Sequence, residues 1–135
     1  MRIASACWAR WSLQTMRPDE IAAYNAEWLR AWTQKDIAKL SAFYAEDCVY
    51  KDNQTVAGLN GRAALTAYLT ALFAGTPTMT YTPDETWPIP GGFCGRWYCD
   101  IGDGGAAGRL RGFDLVILRG REIVLNEVYV HQLPA

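Results

Sequence analysis

The stretch from Phe43 to Asn53, FYAEDCVYKDN, changes its hydrophobic period part-way along, and that change limits what the chain can fold into. On its N-terminal side Leu40, Phe43 and Tyr44 share one face at helical spacing. On its C-terminal side Cys48, Tyr50 and Asp52 alternate with Val49 and Lys51, the two-residue period of a strand. A helix that runs straight into a strand ending on a carboxylate makes the mouth of a pocket. Asp52 is expected at that mouth.

The rest of the chain sorts around this switch. Pro18 suits a first helical turn, and Asp19 and Glu20 complement the positive end of a helix dipole. Ile21, Tyr24, Trp28, Leu29, Ala31 and Trp32 then recur at helical spacing as far as about Gln34. Asp36 is placed as the cap of a second helix over 37–45, and a first strand is predicted over 48–52. Asn60 is placed as the cap of a third helix with Leu65, Tyr68, Leu69, Leu72 and Phe73 as its buried stripe; Gly75 and Pro77 close it. From Thr78 onward strands are predicted over 78–87, 93–101, 110–118 and 123–131, and Pro83 marks a bulge or an edge in the first of them. Helices early and strands late predict an α+β fold, a cone-shaped curved antiparallel β-sheet wrapped by three N-terminal helices.

At 135 residues the chain is large enough for one domain with one core. A net charge of −1 leaves no electrostatic footprint for nucleic acid, and no apolar run reaches transmembrane length, so neither nucleic acid nor membrane is expected as a partner. Cys7, Cys48, Cys94 and Cys99 form no C-x-x-C pair and His131 is the single histidine, which argues against a structural zinc site. No metal and no cofactor are expected. The cysteines read as reduced thiols of a cytoplasmic protein. Residues 1–15 read as a tail or start-site extension, because a second Met at position 16 precedes the Arg-Pro-Asp-Glu helix opening; 16–135 form the domain.

Some polar residues do not fit a core. Asp114 interrupts Gly112-Phe113-Asp114-Leu115-Val116-Ile117-Leu118, a run apolar on both faces, and shares a face with Leu110, Val116 and Leu118. An ionised carboxylate there needs partners or an upward pKa. It reads either as a buried Asp satisfied by Arg, Tyr or backbone donors, or as a functional acid. Asp52 reads either as pocket-facing or as a turn residue of Lys51-Asp52-Asn53. Arg96 and Tyr98 alternate together on their strand, Arg96 as an ion partner for Asp114 and Tyr98 as a donor to a ligand oxygen. On the last strand Glu127, Tyr129 and His131 take one face and Asn126, Val128 and Val130 the other. A three-residue hairpin turn sets Asn126 across from Asp114, and a two-residue turn sets Glu127 there. Six Trp and seven Tyr supply bulk for a core and walls for a pocket.

Taken together, these residues resemble the nuclear transport factor 2-like superfamily, in its SnoaL-like and ketosteroid isomerase-like branch. The likeness spans about Met16 to Leu133. It is carried by Trp32-Thr33-Gln34-Lys35-Asp36, Phe43-Tyr44-Ala45-Glu46-Asp47, Gly61-Arg62-Ala63-Ala64-Leu65, Gly112-Phe113-Asp114 and Glu122-Ile123-Val124. Resemblance to the ketosteroid isomerases implies a general base at Asp52 and a protonated, hydrogen-bond-donating acid at Asp114. It puts their oxyanion-hole tyrosine at Trp28, which is no phenol, and leaves Tyr24 or Tyr98 as substitutes. The epoxide hydrolase relatives imply an Arg-x-Asp pair and a last-strand Asp; here those positions read Arg96-Trp97-Tyr98 and Val128, so that activity is not expected.

The function expected from this resemblance is a cofactor-independent acid–base enzyme of the isomerase or cyclase type, acting on a small hydrophobic carbonyl compound. Asp114, Asp52, Arg96 and Tyr98 are the candidate catalytic residues. Trp28, Trp32, Tyr24, Tyr50, Asn126 and Val128 are the candidate ligand-binding residues. The alternative is a non-catalytic binding or dimerisation module of the same fold. A homodimer is implied through the outer sheet face, with Glu127, Tyr129 and His131 at the interface.

Overall fold

The computed structural model describes residues 16–135. The tail or start-site extension read from residues 1–15, with Cys7, lies outside the described residues. The first helix, α1 (Pro18–Gln34), has the expected bounds and buries Ile21, Trp28, Leu29 and Trp32 on one face. It stops where Lys35 turns left-handed at φ 53 and ψ 36. There the N–H groups of Lys35 and Asp36 fold back onto the carbonyls of Trp32 and Ala31.

Helix α2 (Ile37–Ala42) is opened by Asp36, whose side chain accepts from the Lys39 N–H at 3.0 Å. It ends earlier than expected, because Tyr44 already belongs to strand β1 (Tyr44–Lys51). The apolar Phe43 and Tyr44 fit a helix face and a buried strand equally well, and pairing decides between them. Tyr44 lies beside Ile123 of the last strand, whose N–H donates to the Phe43 carbonyl at 2.7 Å. Asn60 likewise is not a helix cap. It pairs with Val49 in the short strand β2 (Leu59–Asn60), and Gly61, at φ 92, precedes helix α3 (Arg62–Ala74).

The long strands are β3 (Met79–Ile89), β4 (Gly92–Ile101), β5 (Gly108–Arg119) and β6 (Glu122–Gln132), with a single 3-10 turn at Asp103–Gly105 between β4 and β5. With β1 and β2 they form a six-stranded sheet in the order β2-β1-β6-β5-β4-β3. The α+β architecture is the expected one, with two differences: the short strand β2 joins the sheet, and one pairing is parallel. β1 runs parallel to β6, so the sheet is mixed and not wholly antiparallel. β3 lies at the sheet edge and its register shifts between Pro83 and Thr86, close to the proline that marked it.

Helices cover one face of this sheet, with α1 packed along β3. The covered face receives Phe93, Trp97 and Cys99 from β4 and Asp114, Val116 and Leu118 from β5. Each fully buried large apolar side chain contributes about 1.5–3 kcal/mol relative to exposure. Gly112 sits in this inner row for a reason of space. A Cβ built on it would lie 2.0 Å from the Trp97 ring, so the indole lies directly on the β5 backbone. The other face carries the exposed rings of Trp87, Phe113 and Tyr129. Among the described residues no helix is long and apolar enough to cross a membrane.

Candidate functional site

Between α1, α3 and the inner sheet face lies a cavity of about 300 Å³. Its floor holds Asp114, Trp97 and Val128, its walls include Trp28, Trp32 and Tyr81, and its mouth is edged by Asp52, Gln54 and Lys35. Asp52 and Asp114 therefore open into one space, although one sits at the end of β1 and the other in the middle of β5.

Asp114 is 2 % exposed. Its Oδ2 accepts from Trp97 Nε1 at 2.7 Å, and its Oδ1 accepts a longer bond from Asn126 Nδ2 at 3.4 Å. Burial disfavours the charged carboxylate and pushes its pKa up to about 7, against the pull of these two donors in the other direction. Protonated, the group has an O–H to give; ionised, it accepts only. Near neutrality it can do either.

Behind Asp114 stands a buried polar chain. Tyr44 donates its hydroxyl to Asn126 Oδ1 at 2.9 Å, which orients the Asn126 amide so that Nδ2 faces Asp114 and the Leu115 carbonyl. Burial drives the Tyr44 phenol well above its usual range, the nearby Asp114 adds to this, and the neighbouring Trp28 indole opposes it. Trp28 Nε1 itself is buried without a well-aligned hydrogen bond.

Asp52 is built differently. Its Oδ1 accepts from the backbone N–H groups of Gln54 and Thr55 and from Thr55 Oγ1, and its Oδ2 accepts from Tyr68 at 2.6 Å and Tyr50 at 3.0 Å. Partial burial is the largest single influence and raises its pKa, but the hydrogen bonds together outweigh it and hold the carboxyl below its ordinary value. A carboxylate so fully bonded is a weak base. Both readings of Asp52 thus hold at once: it edges the cavity and it ties a turn.

The other candidates divide by the face of the helix or strand that carries them. Trp32, Tyr50 and Val128 line the cavity with Trp28. Tyr24 does not; it packs edge-on against Phe43 and Phe93 and donates to the Arg121 carbonyl at 2.9 Å. Arg96 and Tyr98 point to the opposite sheet face, because Phe93, Trp97 and Cys99 take the inner positions of β4. There Arg96 pairs with Asp84 at 2.7 Å and stacks over Trp87, and Tyr98 lies under Arg109. The expected Arg96–Asp114 pair is replaced by Trp97–Asp114. Nor does either hairpin register hold: Val128 lies opposite Asp114, because the pairing shifts by one residue between Ile117 and Leu118. Asn126 pairs with Val116 and reaches Asp114 diagonally.

Trp97, Tyr68, Tyr81 and Tyr44 were not among the candidates. Trp97 carried a readable signal, since it shares two-residue parity with Phe93 and Cys99. Tyr68 read as core, and only the fold brings it to Asp52.

The SnoaL-like domain family matches residues 25–126. The chain belongs to that family. A comparison with curated proteins finds none that matches. Among solved structures, an NTF2-like protein of unknown function from Burkholderia xenovorans is similar, with 15 % identity, 89 % of each chain covered and a TM-score of 0.70. An NTF2-like protein of unknown function from Mesorhizobium loti shares 24 % identity over 86 % of this chain and 94 % of its own, with a TM-score of 0.65. A protein of ketosteroid isomerase-like fold from Catenulispora acidiphila, solved in complex with trimethylamine, shares 19 % identity over 78 % of this chain and 83 % of its own, with a TM-score of 0.65. At such identities the likeness is one of fold, which hosts different chemistries.

Proposed function

We propose that this SnoaL-like chain binds a small, largely apolar carbonyl compound in the inner cavity and acts on it by acid–base chemistry centred on Asp114, without a cofactor. The observation that carries this reading is a carboxyl buried on a cavity floor with its pKa raised to about 7. A group that titrates near the working pH is the best placed to give and to take a proton. In its protonated form Asp114 gives its proton to the ligand carbonyl oxygen, and the carboxylate left behind takes a proton from the neighbouring carbon, so that the ketone becomes an enol with no net change of charge. Trp97 and Asn126 hold the carboxyl in place. Trp28, Trp32 and Val128 give the ligand an apolar enclosure that excludes water. In this reading Asp52 is not the base, and Arg96 and Tyr98 belong to the outer face.

The same cavity supports a second reading, a binding module that transforms nothing. It is favoured by the five hydrogen bonds that occupy Asp52, which leave Asp114 alone, of the two carboxyls lining the cavity among the described residues, for proton transfer. The outer sheet face, with Phe113 and Tyr129 exposed, is proposed as the contact between two copies, and Glu127 and His131 fall on it.

Turnover of a panel of apolar ketones, steroids and polyketide-like aromatics by wild type and Asp114→Asn tests the enzyme reading. Loss of about 10²-fold or more in the variant, with its fold retained, is the expected result. Equal turnover by the two proteins contradicts the role of Asp114. Ligand-induced thermal stabilisation without turnover of any compound supports the binding module.

A further inference from the structure

The charges that line the cavity limit the charge of its ligand. They belong to Lys35, Asp52 and Asp114. Lys35 has nothing left to offer. Its Nζ lies 2.7 Å from the Thr76 carbonyl, 2.9 Å from the Pro77 carbonyl, 3.1 Å from Thr76 Oγ1 and 3.3 Å from the Phe73 carbonyl. An ammonium has three donors, and these oxygens in the last turn of α3 and just beyond it take them. Among the described residues a carboxylate or phosphate ligand would find no free cation in this cavity.

Asp52 is the converse case. Its hydrogen bonds favour the ionised form, yet the same bonds use up its acceptor positions. It presents negative charge with no lone pair to spare. A primary ammonium, with three N–H groups to satisfy, would have to displace a phenol or a backbone donor. A cation whose charge is spread over alkyl groups has no such need.

Aromatic rings stand around that charge. Tyr50 and Tyr68, both bonded to Asp52, have ring centroids 5.9 Å apart. Phe73, Trp32, Tyr81 and Trp97 line the same cavity in a continuous row, with successive centroids 5.6, 5.9 and 5.0 Å apart. Ring faces attract alkylammonium groups, most strongly where water is excluded.

We propose that the ligand of this cavity carries a quaternary alkylammonium group, held among these rings in the field of Asp52, with its carbonyl end directed to Asp114. This rests on the reading of the cavity as a ligand site and narrows the ligand to an alkylated amino ketone.

A matched pair of probes separates the two claims. One is a trimethylammonium-terminated pentanone, and the other is its tert-butyl isostere, equal in shape and neutral. Calorimetric titration of wild type at neutral pH is expected to show the cation bound about tenfold or more tighter. The preference is expected to fall toward unity in Asp52→Asn, which keeps one acceptor oxygen for the turn, and to shrink in Trp32→Leu, which keeps the carboxylate. Equal affinity of wild type for the two probes overturns the ammonium inference and leaves the ligand cavity standing. Binding of neither probe contradicts both.

Discussion

Trp97 and Asp114 face each other from neighbouring strands, and the indole Nε1 donates to Oδ2 at 2.7 Å with both side chains buried. This bond is a consequence of Gly112. The β4–β5 pairing sets Trp97 beside Gly112, and only the missing side chain lets the ring lie across β5 toward the carboxyl two residues on.

Gly112→Ala therefore acts on the site from the backbone. The added methyl would sit 2.0 Å from the Trp97 ring, so the indole must leave its place. Overpacking of this kind costs about 1–3 kcal/mol. Urea denaturation checks the cost, and a change in tryptophan fluorescence checks the displacement of the ring. An unchanged stability and spectrum would contradict the packing.

Trp97→Phe keeps most of the ring and removes the donor. The bond it removes favours the ionised carboxylate, so the Asp114 midpoint is expected to rise above about 7. A lost buried hydrogen bond and a small void together cost about 1–3 kcal/mol. The midpoint is read by titration of the variant, and a shift downward would contradict the sign.

The polar chain behind Asp114 predicts a second mutational pattern. Tyr44→Phe leaves Asn126 Oδ1 buried without its donor, and Asn126→Leu leaves the Tyr44 hydroxyl without its acceptor. Each is expected to cost about 1–3 kcal/mol, and the double variant less than the sum, because both remove the same bond. Strict additivity in a double-mutant cycle would deny the coupling.

The raised pKa of Asp114 also sets a pH dependence of stability. Between about pH 4 and about pH 7 the folded protein keeps a proton that the unfolded chain has released. Stability is therefore lost as pH rises through that window and levels off above it, by an amount on the order of a few kcal/mol. In Asp114→Asn this component is absent. Denaturation midpoints measured across the window are expected to fall less with pH in the variant than in wild type; parallel curves would contradict the assignment.

Apart from the two-residue β2, the order of elements was legible because period carries it. The stripe from Ile21 to Trp32 is helical and nothing else, and Asp114 stood out against Leu115, Val116 and Ile117. Boundaries were not legible where a residue suits two elements. Tyr44 satisfies a helix face by spacing, and only its pairing with Ile123 claims it for the sheet. Arg96 and Tyr98 carry the chemistry that suggests a site, but parity with Phe93 and Cys99 puts Trp97 on the inner face. The partner of Asp114 depended on a one-residue register shift near Leu118, which no turn length announces. Tyr50 and Asp52 share a face by two-residue spacing, but the bond from Tyr68 to Asp52 joins a helix to the end of a strand, so spacing along the chain could not give it.

The central claim is that burial on the cavity floor holds Asp114 near neutrality. It is tested most directly by a ¹³C NMR pH titration of the carboxyl carbons in wild type, with Asp114→Asn used to assign the resonance. The account predicts one aspartate carboxyl titrating at about 7, absent from the variant. An Asp114 resonance that titrates at about 4, in the ordinary carboxylate range, would contradict it.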